Sequence, residues 1–72
     1  MAVFTSSAFT LRRKIIVDAL TAAKAFTRET ALTLVEAGVE NPDQFREYTE
    51  RLVDMEVIGR TKDGRYYIAQ RS

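Results

Sequence analysis

From Leu11 onward, apolar residues recur at steps of three and four: Leu11, Ile15, Ala19, Ala22, Ala23 and Phe26, with Ile16 and Leu20 beside them. That spacing draws one stripe along a helix. Thr10 precedes the stripe and can cap it, so a first helix is expected over about 11–25. Thr27 offers a second cap, with Glu29 in the first turn, where the helix dipole favours an acid. Ala31, Leu32, Leu34 and Val35 then form a buried face. Gly38 ends this second helix, because glycine takes the left-handed cap conformation cheaply, and Val39 is placed to meet Leu34. Asn41-Pro42-Asp43-Gln44 opens a third helix over about 42–56. Asn41 is the cap, Pro42 sits at the first helical position, and Gln44 can reach back as in a capping box. Phe45, Tyr48, Leu52 and Met55 make its stripe, with Val53 on the flank. The turn from Gly38 to Asn41 makes the pair a helix-turn-helix.

Val57-Ile58 breaks the helical period, and Asp63-Gly64 between two β-prone arms signals a hairpin. With a two-residue loop, Thr61 faces Tyr66 and Arg60 faces Tyr67. Val57, Thr61, Tyr66 and Ile68 then pack inward, while Ile58, Arg60, Lys62, Arg65 and Tyr67 form a basic outer face. A three-residue loop shifts that register. Residues 1–9 show no period and read as an N-terminal extension in which Phe4 and Phe9 can dock on the body. The expected fold is a single domain over residues 1–72, core about 10–69, mainly α with a C-terminal β-hairpin. Ile15, Ala19, Leu20, Leu34, Phe45, Leu52, Tyr66 and Ile68 are the expected core.

Composition narrows the chemistry more than the fold. A hydrophobic content of 46% suits a globular chain rather than a disordered one. There is no cysteine and no histidine. That removes disulfides, thiolate metal sites, the commonest general base and the thiol nucleophile, and points away from an enzyme and from any cofactor. Asp43, Glu47, Glu50 and Asp54 do align on the third helix, and the simple reading is a solvated face with ion pairs at helical spacing. The longest strongly apolar run, Ile15-Ile16-Val17, is far too short to span a membrane. Met1 to Phe9 carries no cation and no long apolar segment, unlike a signal peptide, so a cytoplasmic location is expected.

The net charge of +1 hides a pattern. Residues 1–28 set Arg12, Arg13, Lys14, Lys24 and Arg28 against Asp18. Residues 29–56 set eight acids against Arg46 and Arg51. Residues 57–72 set Arg60, Lys62, Arg65 and Arg71 against Asp63. The chain is basic, acidic, then basic.

A helix, a helix-turn-helix and a hairpin with the tip Arg60-Thr61-Lys62-Asp63-Gly64-Arg65-Tyr66-Tyr67 resemble the winged helix-turn-helix superfamily over about residues 11–69. The resemblance implies a three-helix fold and a non-enzymatic DNA-binding function, such as a small transcriptional regulator or chromatin-associated protein. It implies duplex DNA contacts from the wing at Arg60, Lys62, Arg65 and Tyr67, and from the third helix at Gln44, Arg46 and Arg51. The triplet Arg12-Arg13-Lys14 is a further basic cluster for the same partner. Residues 40–56 depart from the pattern, with six acids against two arginines, a charge that repels phosphate. The alternative is a protein-interaction module in which Glu47, Glu50 and Asp54 meet a basic surface. That surface could belong to another protein or to a second copy of the chain, since its acidic and basic regions are complementary.

Overall fold

The computed structural model describes residues 7–69. Helix α1 runs Ser7–Ala22 and α2 runs Arg46–Asp54; strands β1 (Ile58–Arg60) and β2 (Tyr66–Ile68) form an antiparallel C-terminal hairpin. The apolar core is built from Ile16, Leu20, Ala25, Leu34, Val39, Leu52 and Ile58, with Phe9, Ala19, Leu32, Tyr66 and Ile68 among the half-buried residues packed around it. No helix among the described residues is long and apolar enough to cross a membrane.

The first helix begins earlier and ends earlier than the apolar stripe suggests. Thr10 lies inside α1 rather than capping it, so residues 7–9 belong to the helix and not to an extension. Phe9 sits on α1 with its ring edge-on to Tyr48, 5.5 Å between centroids; Phe4 lies outside the described residues. The C-terminal end is a Schellman closure. Ala25 N–H donates to Leu20 O at 2.9 Å and Lys24 N–H to Thr21 O at 3.0 Å, with Lys24 in the left-handed region at φ 60°. That position favours glycine. A lysine there gives no sequence signal, so the stop is set by burying Ala25 in the core.

Two α-helices form rather than three. The expected second helix is replaced by a 3-10 turn at Arg28–Thr30 and a separate helical turn at 34–38. Thr27 does cap, in a reciprocal box with Thr30. What breaks the helix is Leu32: its N–H donates to Tyr66 O at 2.9 Å and its carbonyl accepts from Tyr66 N–H at 2.7 Å. With both backbone groups committed to β2, Leu32 is extended. The chain then re-enters a single turn held by Thr33 and Glu36, each accepting the other's backbone N–H. Gly38 closes it at φ 89°, and Val39 N–H reaches Leu34 O at 2.9 Å, as its position implied.

The third helix is also shorter than expected, and Asn41 is not its cap. Asn41 is itself left-handed at φ 51°, and so is Phe45 at φ 57°, the residue before α2. The cause is Arg12. Its guanidinium takes the carbonyls of Glu40, Asn41 and Gln44 at 3.4, 3.0 and 3.2 Å. Gln44 O is thereby drawn toward α1, and helical pairing starts only from Phe45 O. The far end repeats the α1 closure: Val57 N–H donates to Leu52 O at 3.0 Å with Glu56 left-handed at φ 62°.

The hairpin has the three-residue loop. Thr61 N–H donates to Arg65 O at 2.8 Å, Gly64 N–H returns to Thr61 O at 3.1 Å, and Gly64 takes φ 82°. The register is Ile58 with Ile68, Gly59 with Tyr67 and Arg60 with Tyr66. Relative to the two-residue expectation the strands slip by one, which turns β1 over while Tyr66 and Ile68 of β2 stay packed against the core as expected. Ile58, expected outside, is buried, and Arg60, paired with Tyr66, stays exposed and reaches Glu50 on α2.

Candidate nucleic-acid interface

Each cation is best placed by what holds it. Arg60 extends from β1 to α2 and grips Glu50 with both terminal nitrogens, Nη2 to Oε1 at 3.0 Å. That hydrogen bond holds the Glu50 carboxyl below its usual range and makes Arg60 still harder to deprotonate. Arg65 donates to Glu36 and to Asp63, each at 3.0 Å. The Asp63 carboxyl is lowered by the Thr61 hydroxyl first and by Arg65 second. Arg46 pairs with Asp43 at 3.2 Å and Lys14 with Asp18 at 2.9 Å. Four of the cations expected to meet phosphate are therefore engaged by carboxylates of the same chain.

Arg12 is removed from that surface altogether. It is 6% exposed and spent on main-chain carbonyls, so its placement among the phosphate contacts does not survive folding. The triplet does not act together: Arg13 stays exposed on α1, Lys14 is ion-paired, and Arg12 is interior. Arg51 lies over the Phe9 ring, 5.3 Å to the centroid. Gln44 is exposed at the lip of a cleft beside α1. On the acidic side Glu47 and Asp54 are exposed, whereas Glu50 is taken by Arg60.

Part of what remains basic lies on the hairpin and beside Tyr67, while Arg13 and Arg51 stay open on the helices. The Tyr67 ring crosses the hairpin over Gly59, so near that a Cβ there would stand 2.5 Å from Oη. The Arg28 guanidinium lies over the same ring, 5.9 Å to its centroid. Ile68 N–H donates to Ala25 O at 2.8 Å, which brings the turn after α1, with Lys24, against β2. Lys62 is exposed in the hairpin loop. Among the described residues Lys24, Arg28 and Lys62 have no carboxylate partner, and all three sit on the hairpin or on the segment packed against it. Sequence reading found Lys62 and Tyr67 but not Lys24 or Arg28, which are 34 or more positions away along the chain. Gly59 was the available signal, since a glycine inside a strand marks close approach of another group.

Comparison with protein-family models, with curated proteins and with solved structures returns no match.

Proposed function

We propose that the chain is a non-enzymatic winged-helix-like domain that binds duplex DNA through the outer side of its hairpin, with α2 turned away from phosphate. The carrying observation is a group of open cations at the hairpin: Lys62 on its loop, Arg28 over the Tyr67 ring and Lys24 on the turn packed against β2 have no carboxylate partner among the described residues, as Arg13 on α1 and Arg51 on α2 also have none. Cations beside an aromatic suit a sugar-phosphate backbone. The order of elements supports the reading too: a helix, an extended residue bridged to the second hairpin strand, a helical turn, a helix and the hairpin. α2 presents Glu47 and Asp54 and is repelled by phosphate, so binding is governed by charge rather than by base sequence.

Titrating the protein with a duplex of mixed sequence at about 50 and 200 mM salt tests this, that being the range in which phosphate contacts are lost. Amide shifts are expected at residues 24–28, 59–62 and 67. Lys62→Ala and Arg28→Ala should each flatten the log–log salt slope by about one unit, while the paired Arg60 contributes less. No salt-sensitive affinity at the lower salt would overturn the reading. The alternative partner, a basic protein surface, would instead shift residues 47–54, where Glu47 and Asp54 are exposed.

A further inference from the structure

A second surface lies away from the hairpin. α1 and the segment 38–45 flank a cleft of about 430 Å³, lined by apolar side chains, the cation Arg12 and the polar Glu40, Asn41 and Gln44. Leu11, Ile15 and Phe45 stand 60%, 40% and 40% exposed around it, although each is large and apolar. Ile15 and Phe45 were expected in the core. α1 instead buries the neighbouring stripe, Ile16 and Leu20, and leaves Leu11 and Ile15 facing the opening.

The cation is Arg12, at the base of the cleft. A guanidinium remains charged in a protein, and this one is nine-tenths buried. Its terminal nitrogens meet three main-chain carbonyls, which supply partial charge only. Among the described residues no carboxylate pairs with it, and its Nε is buried without an acceptor. A buried charge normally carries a counter-charge, because desolvation is costly. The wall around it is also built from unusual backbone. Gly38, Asn41 and Phe45 all line the cleft and all have positive φ. A bulky aromatic in that region is uncommon, and such residues concentrate where a chain is shaped to hold something.

We infer that this cleft binds a small apolar carboxylate, an alkyl or aryl acid whose body covers Leu11, Ile15 and Phe45 and whose carboxylate neutralises Arg12. A cleft of this size with largely apolar walls and a few polar groups has the form of a small-molecule site. Asn41 and Gln44 at the lip add amide donors. Glu40, also at the lip, opposes an anion; it is exposed and screened by solvent, whereas Arg12 is not. That opposition selects a ligand with one carboxylate over a polyanion. The site shares no residue with the hairpin surface, so it stands or falls separately from DNA binding.

Decanoate and decan-1-ol are the probes, followed by amide and arginine Nε–H shifts in solution. Decanoate should saturate, moving the Arg12 Nε–H together with the Leu11, Ile15 and Phe45 amides. It should bind about tenfold more tightly than decan-1-ol, the scale of one charge-assisted hydrogen bond. Equal affinity for the alcohol would make the cleft merely apolar and overturn the inference, as would the absence of saturable decanoate binding up to millimolar concentration. Replacing Arg12 removes the clasp on residues 40–44, so the deciding variant is Ile15→Asp. This exposed substitution puts a negative charge in the cleft and should abolish decanoate binding while the amide spectrum stays folded. Val35→Asp, exposed and outside the cleft, should leave binding unchanged. Undiminished binding by Ile15→Asp would refute the site. Dilution without ligand gives a further check: movement of the cleft amides would mean that a second copy of the chain fills the cleft, and would also refute it.

Discussion

Gly59→Ala probes the hairpin surface most directly. A methyl group at Gly59 would enter the Tyr67 ring, 2.5 Å from Oη and 2.7 Å from Cε1. The ring must therefore leave its place under Arg28. Overpacking of this kind costs about 1–3 kcal/mol. Tyr67 is half-buried and only the far end of its side chain is struck, so the lower end, about 1 kcal/mol, applies. Against this stands the reduced entropy of the unfolded chain, about 0.4–1 kcal/mol in favour of alanine, since Gly59 does not need positive φ. Gly59→Ala alone should thus be nearly neutral to about 0.6 kcal/mol destabilising. In a Tyr67→Ala background the clash is gone, and the same substitution should stabilise by about 0.4–1 kcal/mol. Urea unfolding of the four proteins of the cycle measures the difference, a coupling of about 1 kcal/mol. Additive effects, within about 0.5 kcal/mol, would show that the ring does not rest on Gly59 and would remove the platform from the proposed interface. If the platform is real, Gly59→Ala should also weaken DNA binding at low salt.

Three further outcomes are expected. Because Arg60 lowers the Glu50 carboxyl in the folded state, the pair contributes stability above the unfolded glutamate value of about 4.3, and that contribution disappears as pH falls through the lower folded value; Glu50→Gln should flatten this acid limb of a urea-midpoint profile, and an unchanged limb would mean the pair is not formed in solution. Asn41→Gly should preserve or slightly raise stability while Asn41→Ser loses about 1 kcal/mol by denaturant titration, because the position demands positive φ; the reverse order would mean that Asn41 serves as a helix cap after all. Leu52→Ala, at a fully buried position of α2, should cost about 2–5 kcal/mol, enough to unfold much of so small a domain at room temperature, and a cooperative transition close to that of the parent would contradict the assigned core.

The local signals in the chain were sound where one residue's own conformation sufficed. Gly38 and Gly64 mark left-handed positions, Thr27 caps, and Val57-Ile58 ends helix and begins strand, because these depend on φ, hydroxyl reach and β-branching within a few residues. The hairpin was legible, and so were its two registers, but the choice between them was not. Asp-Gly fits either loop, and only the burial of Ile58 against the helices selects three residues and brings Arg60 to Glu50. Contacts across the chain decided the rest. Leu32 gives up helix for two bonds to Tyr66, and Arg12 bends residues 40–45 by collecting their carbonyls. On α1 two adjacent apolar stripes compete. Packing buries Ile16 and Leu20 and leaves Leu11 and Ile15 to line the cleft. Sequence likewise gave every charge but not its partner: which cations stay open is a property of distance in space, and a lysine in the αL position or a carboxylate 29 residues away leaves no periodic trace.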